Sequence, residues 1–306
     1  MDKAKRAIAL GFFDGVHTGH GALLRRVGEV AARNNLVPSA FTFDTHPENL
    51  IMGTPMPLIT TPADRADLMR RLYGIRDVIV AQFDQRMMRM DWRSFVSDYL
   101  VEENGAAWLV AGHDFHFGYK GEGNPQRLQE FCKGLGVGCD IIPRIEKDGI
   151  TVSSTYIRTL LAQGEMERAM EFLGHPHVFT AQVSHGKRLG TSLGFPTVNL
   201  QIPSGILVPA FGVYAARAWL EDGSCHLCVT NIGTRPTVDC SGSVNVEGFL
   251  LDFSGDLYGQ TVRMEFFRRL RGEERFSSLE ALRSAILKDT EATKQYFNEL
   301  SASHFN

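Results

Sequence analysis

Gly11-Phe12-Phe13-Asp14-Gly15-Val16-His17-Thr18-Gly19-His20 follows a short apolar run, Ala7 to Leu10, and precedes a stretch in which Leu23, Val27, Val30 and Ala31 recur at helical spacing. A glycine-bearing turn between a strand and a helix opens a βαβ unit. At the carboxyl end of a parallel strand such a turn brings backbone close to phosphates, and the helix N-terminus beyond it offers free N–H groups and partial positive charge. Gly15 and Gly19 suit that turn. His17 and His20 lie three residues apart, so both can point toward one ligand and donate to developing phosphate charge. A lone HxxH reads as a capped helix start with incidental histidines, but the strand before it and the helix after it favour a ligand site. No GxxxxGK[ST] string competes for the nucleotide role.

Outward from this turn the same rhythm continues. Apolar runs at Ser39 to Phe43, Val78 to Val80, Trp108 to Ala111 and Cys139 to Ile142 alternate with helical patterns, which predicts an α/β half with a helix-covered parallel sheet of Rossmann type. Helical stretches are expected at Ile157 to Leu161 and Met166 to Leu173, closed by Gly174-His175-Pro176. From Val178 the pattern changes to short strands separated by turns, among them Val213 to Trp219, His226 to Thr230, Val244 to Leu251 and Thr261 to Phe267. That change predicts an antiparallel barrel or sandwich with a terminal helix, for which Ser277 and Glu280 read as a capping box. The boundary is placed near His175, giving domains 1–175 and 176–306.

A chain of 306 residues favours two cores. With 43% hydrophobic and 22% charged residues it is too apolar to be disordered, and a net charge of −3 argues against a general nucleic-acid partner. No stretch approaches the ~18 apolar residues of a membrane span, and no signal-peptide core follows Met1, so a soluble cytoplasmic protein is expected. Cys132, Cys139, Cys225, Cys228 and Cys240 form no regular disulfide framework. Cys225 and Cys228 make one CxxC pair whose neighbours read as strand, and no metal is expected there.

Further motifs stand in order along the chain. The first half carries Phe41-Thr42-Phe43-Asp44-Thr45-His46-Pro47, Gly112-His113-Asp114-Phe115-His116-Phe117-Gly118 and Ser153-Ser154-Thr155-Tyr156-Ile157-Arg158. The second carries Gly186-Lys187-Arg188-Leu189-Gly190-Thr191-Ser192-Leu193-Gly194-Phe195-Pro196-Thr197-Val198-Asn199, then Asn231-Ile232-Gly233-Thr234-Arg235-Pro236-Thr237, and later Arg271, Glu273 and Phe276. HxGH between strand and helix resembles the signature of the nucleotidyl transferase superfamily. With the motifs after it the first half resembles bacterial FAD synthetases, and the second half resembles riboflavin kinases. Essentially the whole chain is therefore similar to the bifunctional riboflavin kinase/FAD synthetase family.

That resemblance implies phosphorylation of riboflavin to FMN by Mg-ATP in the C-terminal half and adenylylation of FMN by a second ATP, to FAD and pyrophosphate, in the N-terminal half. It assigns charge stabilisation to His17 and His20, and ATP binding to Gly11, Phe13, Asp14, Gly15, Gly19, Ser154, Thr155 and Arg158. Bidentate phosphate binding suits the planar guanidinium of Arg158. In the kinase half it assigns ATP binding to Gly186, Lys187, Arg188, Gly190, Thr197 and Asn199, with Thr197 and Asn199 as oxygen ligands to Mg²⁺. Glu247 matches the base for the riboflavin hydroxyl. Asn231 and Arg271 are flavin neighbours by the same resemblance. Asp114 and Phe115 read either as flavin or ATP neighbours or as a loop packed on the sheet edge. His46 reads equally as a flavin neighbour or as an ordinary strand-end histidine. The sequence departs from the family at Phe249, where a histidine is usual two residues after the glutamate. It also departs at Leu189 and Thr191, where arginines are common around Gly190, and at Glu48 and Asn49, where an arginine usually follows the HP dipeptide.

Overall fold

The computed structural model describes residues 4–53, 56–184, 195, 197–234 and 244–303, and its contacts divide the chain into compact units Met1–Ser154 and Thr155–Asn306. In the first unit β1 (Arg6–Leu10), β2 (Val37–Phe43), β3 (Asp77–Ala81), β4 (Ala106–Gly112) and β5 (Gly138–Ile142) form a parallel sheet in the order β3-β2-β1-β4-β5. Ala7, Ile8, Ala9 and Leu10 on the central strand are buried, as a strand covered on both faces requires. Helix α1 (Thr18–Asn34) lies on β1, β2 and β4, and it buries Leu23, Leu24, Val27, Val30 and Ala31. Helices α2 (Pro47–Met52), α3 (Pro62–Tyr73) and α4 (Gln85–Met88) follow β2 and β3. A short α5 (Trp92–Ser94) runs on into a π-helical segment, Phe95–Glu103, that packs on β4 beside α6 (Pro125–Leu135). Wide π turns recur at functional sites, and this one places Phe95 in an aromatic cluster with Phe41 and Phe117. The strands β6 (Glu146–Lys147) and β7 (Ile150–Thr151) form a small hairpin after β5.

The second unit opens with α7 (Ser154–Gln163), whose first residue closes the first unit, and α8 (Met166–Leu173). Helix α8 lies on the strands that follow, with Glu167 Oε1 accepting from Arg268 Nε at 3.0 Å. Strands β8 (His177–Gln182), β9 (Thr197–Gln201), β10 (Gly212–Trp219), β11 (Cys225–Thr234), β12 (Val244–Leu250) and β13 (Thr261–Arg271) make one antiparallel sheet in the order β8-β13-β10-β11-β12-β9. The sheet curls until its edges meet, where Ser184 N donates to Asn199 O at 2.8 Å. Its inner face buries Tyr214, Ala216, Cys228, Ile232, Val246 and Phe266. Cys228 is buried and Cys225 exposed, as the period of a strand dictates for residues three apart. Helix α9 (Leu279–Ser303) covers part of the outer face through Tyr296 and Phe297 against Ala215 and Phe267. Its cap is Ser278 rather than Ser277, because the Ser278 hydroxyl accepts from Ala281 N at 3.1 Å.

His177 is buried inside the barrel, with neither ring nitrogen hydrogen-bonded among the described residues. Burial, with His175 nearby as a smaller cause, pushes its pKa down to about 3. Because the folded value lies below the unfolded one, the unfolded chain binds the extra proton, so stability is full above the ordinary histidine range and falls on acidification. From pH 7 to pH 5 the expected loss from this group is about 2 kcal/mol. Urea midpoints measured at both pH values should show that slope, and His177→Leu should flatten it. An unchanged slope in the variant would place the acid sensitivity elsewhere.

Candidate active sites

The turn after β1 is a strained one. Phe13 has φ 59°, Gly15 φ 79° and Val16 φ 45°, and positive φ at a β-branched residue is a true outlier that costs about 1–3 kcal/mol. Surrounding bonds hold it in place. The buried Asp14 carboxylate accepts from Ile59 N at 2.9 Å and Thr60 N at 3.1 Å, and Gly15 N donates to Thr60 Oγ1 at 3.1 Å. Ser154 Oγ donates to Asp14 O at 2.9 Å, and Thr42 Oγ1 donates to Phe12 O at 2.7 Å. Asp14 and Gly15 thus shape the turn from below.

Held this way, the turn presents the two histidines together. Their rings stack with centroids 3.5 Å apart and 10° between planes. His17 caps α1, its Nδ1 accepting from His20 N at 3.1 Å. An accepting Nδ1 carries no proton, so the His17 proton sits on Nε2. His20 is held well below the ordinary histidine range, first by burial and then by the electrostatic influence of the neighbouring His17 ring and of Arg65. It is therefore neutral at physiological pH. A side chain at position 19 would stand 3.1 Å from His17 Nδ1, which is why glycine separates the pair.

The histidines open into a cleft of about 690 Å³ built from the carboxyl ends of β1, β4 and β5. In the order β3-β2-β1-β4-β5 the chain reverses direction of growth between β1 and β4, the place where open α/β sheets bind ligands. Gly11, Phe13, Gly19, His46, Asp114, Phe115 and Ser154 also line it. His46 caps α2, with Nδ1 accepting from Glu48 N at 3.3 Å, and its ring meets Phe12 edge-on at 4.6 Å. A neighbouring apolar cavity of about 500 Å³ is lined by Phe43, Phe83, Met87, Met90 and Phe95, and Phe115 borders both spaces. Thr155 and Arg158 stand on α7 in the second unit.

Sequence reasoning missed two cations. Arg144 lines the cleft just past β5, where its only signal was a Pro-Arg pair at a strand end. Arg65, on α3, is fully buried under the turn. Its Nη1 donates to Thr42 Oγ1 at 2.8 Å and to Phe43 O at 3.0 Å, and its Cζ lies 4.2 Å over the Phe12 ring. Nε and Nη2 have no hydrogen-bond partner among the described residues, and burial lowers its pKa to about 10 while Asp14 opposes the shift. It stays protonated. A desolvated, half-satisfied cation is costly in itself and raises the potential of the turn above it.

In the second unit the expected residues fall into one row. Asn199 on β9 pairs with Glu247 on β12, Glu247 with Asn231 on β11, Asn231 with Val213 on β10, and Val213 with Arg271 on β13. Facing residues on neighbouring strands share a side of the sheet, so a carboxylate lies between two amides. Thr197 stands two residues from Asn199 on the same face. Arg271 is engaged with Asp289 of α9, its Nη2 at 2.8 Å and Nε at 3.1 Å. Gly186, Lys187, Arg188 and Gly190 lie outside the described residues, as do Leu189 and Thr191.

The family model for FAD synthetase matches residues 1–156 and that for riboflavin kinase matches residues 173–297. A bifunctional riboflavin kinase/FMN adenylyltransferase of Pseudomonas fluorescens is 37% identical over 290 residues, covering 93% of this chain and 91% of its own. The chain belongs to the bifunctional riboflavin kinase/FMN adenylyltransferase family. Its Escherichia coli (strain K12) member is 34% identical over 293 residues, covering 95% of this chain and 92% of its own. The crystal structure of a macrolide-efflux protein from Streptococcus pneumoniae superposes with a TM-score of 0.82 at 26% identity, covering 96% of this chain and 95% of that one. Among the described residues no helix is long and apolar enough to cross a membrane. As a riboflavin kinase/FMN adenylyltransferase the chain joins a phosphotransferase and a nucleotidyltransferase. In this member Phe249 packs edge-on to Phe195 at 5.2 Å, and a polar neighbour meets Glu247 from the opposite side, where Asn245 Nδ2 donates to Glu247 Oε1 at 2.9 Å.

Proposed function

We propose that adenylyl transfer takes place in the cleft over the Gly11–His20 turn and riboflavin phosphorylation on the Asn199–Glu247–Asn231 row, with the functional boundary near His175. The observation that carries the first assignment is the stacked histidine pair on a strained turn at the sheet's switch point. In that cleft an FMN phosphate oxygen attacks the α-phosphorus of ATP, and the bond to the β-phosphate oxygen breaks to release pyrophosphate. The attacking phosphate is already a nucleophile, so the protein's work is positioning and charge stabilisation. Neutral His17 and His20 donate N–H groups to the departing charge while Arg65 strengthens the field from below. The Phe- and Met-lined cavity beside Phe115 has the size and apolarity to take the flavin ring, and Ser154, Thr155 and Arg158 serve the nucleotide as the resemblance implies.

On the row, Glu247 takes the proton of the riboflavin 5′-hydroxyl as that oxygen attacks the γ-phosphorus and ADP leaves. Asn231 and Arg271 stand along the flavin, and Lys187 and Arg188 serve the nucleotide. Thr197 and Asn199 offer neutral oxygens on one face beside a carboxylate, a set that fits Mg²⁺ arriving on a nucleotide. When bound, the ion supplies charge neutralisation across the phosphates. No role for nucleic acid or membrane is proposed. The cysteines among the described residues are free, Cys132 and Cys228 in buried positions, which supports a reducing compartment and hence the cytoplasm.

Chromatography of flavin products after incubation with riboflavin, ATP and Mg²⁺ tests the whole reading. FMN followed by FAD, with one pyrophosphate released per FAD, is the expected result. No flavin product, with adenylylation of a pantetheine or nicotinate compound instead, would overturn it.

A further inference from the structure

The departure at Phe249 leaves a question about what orients the base of the kinase row, and the strand register answers it. Asn245 lies two residues before Glu247 on β12 and so projects from the same face. It is buried, whereas Glu247 is exposed. Its Nδ2 donates to Glu247 Oε1 at 2.9 Å and also reaches Asn199 Oδ1 at 3.3 Å. One amide group therefore ties together the carboxylate on β12 and the side-chain oxygen on the neighbouring strand β9. Across the sheet Asn245 faces Gly233 on β11, a position where any side chain would meet the Glu273 carboxylate, with an added Cβ falling 1.9 Å from Glu273 Oε1. The cross-strand place beside Asn245 is thus kept free of a side chain.

We infer that Asn245 is a positioning residue for riboflavin phosphorylation, fixing the Glu247 carboxylate and the Asn199 oxygen in one hydrogen-bonded set and taking over on one side of the base the polar support that Phe249 cannot give on the other. The inference rests on the assignment of Glu247 and Asn199 to the kinase reaction. A donor on one carboxylate oxygen leaves the second free to face a substrate hydroxyl and stops the exposed side chain from sampling other rotamers. Holding Asn199 through its own oxygen also fixes which end of that amide points toward a nucleotide-borne cation. Asn245 touches no reacting atom and acts through its two neighbours.

The test uses the full chain, whose adenylyl transfer in the first unit checks the amount of intact protein, while KM for riboflavin checks the fold of the unit that carries Asn245. Asn245→Ala is expected to lower kcat for riboflavin phosphorylation ~10- to 100-fold, the range for a hydrogen bond to a charged group, with KM for riboflavin changed by less than about threefold. Conversion of supplied FMN to FAD should stay at the parent rate. Asn245→Thr, which restores a donor, should recover part of the loss, and Asn245→Ala should cost little more when added to Glu247→Ala. Kinase turnover within twofold of the parent in Asn245→Ala would overturn the inference. So would parallel loss of both activities, which would mark the residue as structural, or full additivity with Glu247→Ala. A parent protein that phosphorylates no riboflavin would instead sink the kinase assignment beneath it.

Discussion

His17→Asn and His20→Ala proteins are expected to phosphorylate riboflavin at the parent rate and to stop at FMN, with FAD formation down ~10²- to 10³-fold in each. That magnitude is the one found when a single preorganised donor is removed from a site where charge develops. Both imidazoles are positioned before substrate arrives, His17 by its bond from His20 N and His20 by stacking and burial, so removing either forfeits stabilisation that water cannot replace in a desolvated turn. The choice of asparagine at position 17 matters. His17 caps α1, and an alanine there would also cost about 1 kcal/mol of helix stability. Asparagine retains an oxygen acceptor for the His20 N–H and lacks the distal N–H, so the structural and chemical roles separate. Separate assays with riboflavin and with FMN as the starting flavin check the outcome. Undiminished FAD formation by both variants would mean that the triphosphate is held elsewhere, with Arg144 the next residue to examine.

Much of this architecture was legible because it depends on local periodicity. Each strand expected in the first half appears within one or two residues of its apolar run, and α1 buries the residues its spacing predicted, with Leu24 added. Strand β9 is less legible: Val198 and Leu200 alternate inward with Thr197, Asn199 and Gln201 outward, but the strand is short and follows a glycine-rich segment that carries a motif of its own. The cap of α9 slipped by one residue because adjacent serines satisfy nearly the same pattern, and only backbone geometry chooses Ser278. Other features have no local signal. Arg65 looks like an ordinary helix cation until α3 is packed under the turn, and its burial follows from bonds to Thr42 and Phe43 on a different strand. Asn245 meets Asn199 across 46 residues of sequence, through a strand register that periodicity does not set. The unsatisfied cation, the positive φ values and the exposed carboxylate between amides all break local rules. Local rules are expected to fail at positions of this kind where they serve a site, since the stability they cost must be supplied by the surrounding fold.

Glu247→Gln is expected to lower riboflavin phosphorylation ~10²- to 10⁴-fold while FMN supplied from outside is still converted to FAD at the parent rate. Glutamine is nearly isosteric, and its Oε1 still accepts from Asn245 Nδ2, so the row keeps its geometry and only proton acceptance is lost. The effect should fall on kcat, with KM for ATP unchanged, because proton transfer matters in the transition state and contributes nothing to holding the nucleotide. Exposure is the main physical argument against this role, since a strand glutamate facing solvent is most often a solvated surface residue. Three observations favour catalysis here: alignment with Asn199 and Asn231, contact with a buried amide, and the Glu273 carboxylate brought over Gly233 at the same end of the face. They also name the rival base. If Glu247→Gln retained more than about a tenth of parent kcat, less than the smallest loss expected of a general base, Glu273→Gln would be the decisive variant, and its inactivity would move the proton acceptor from β12 to the segment after β13.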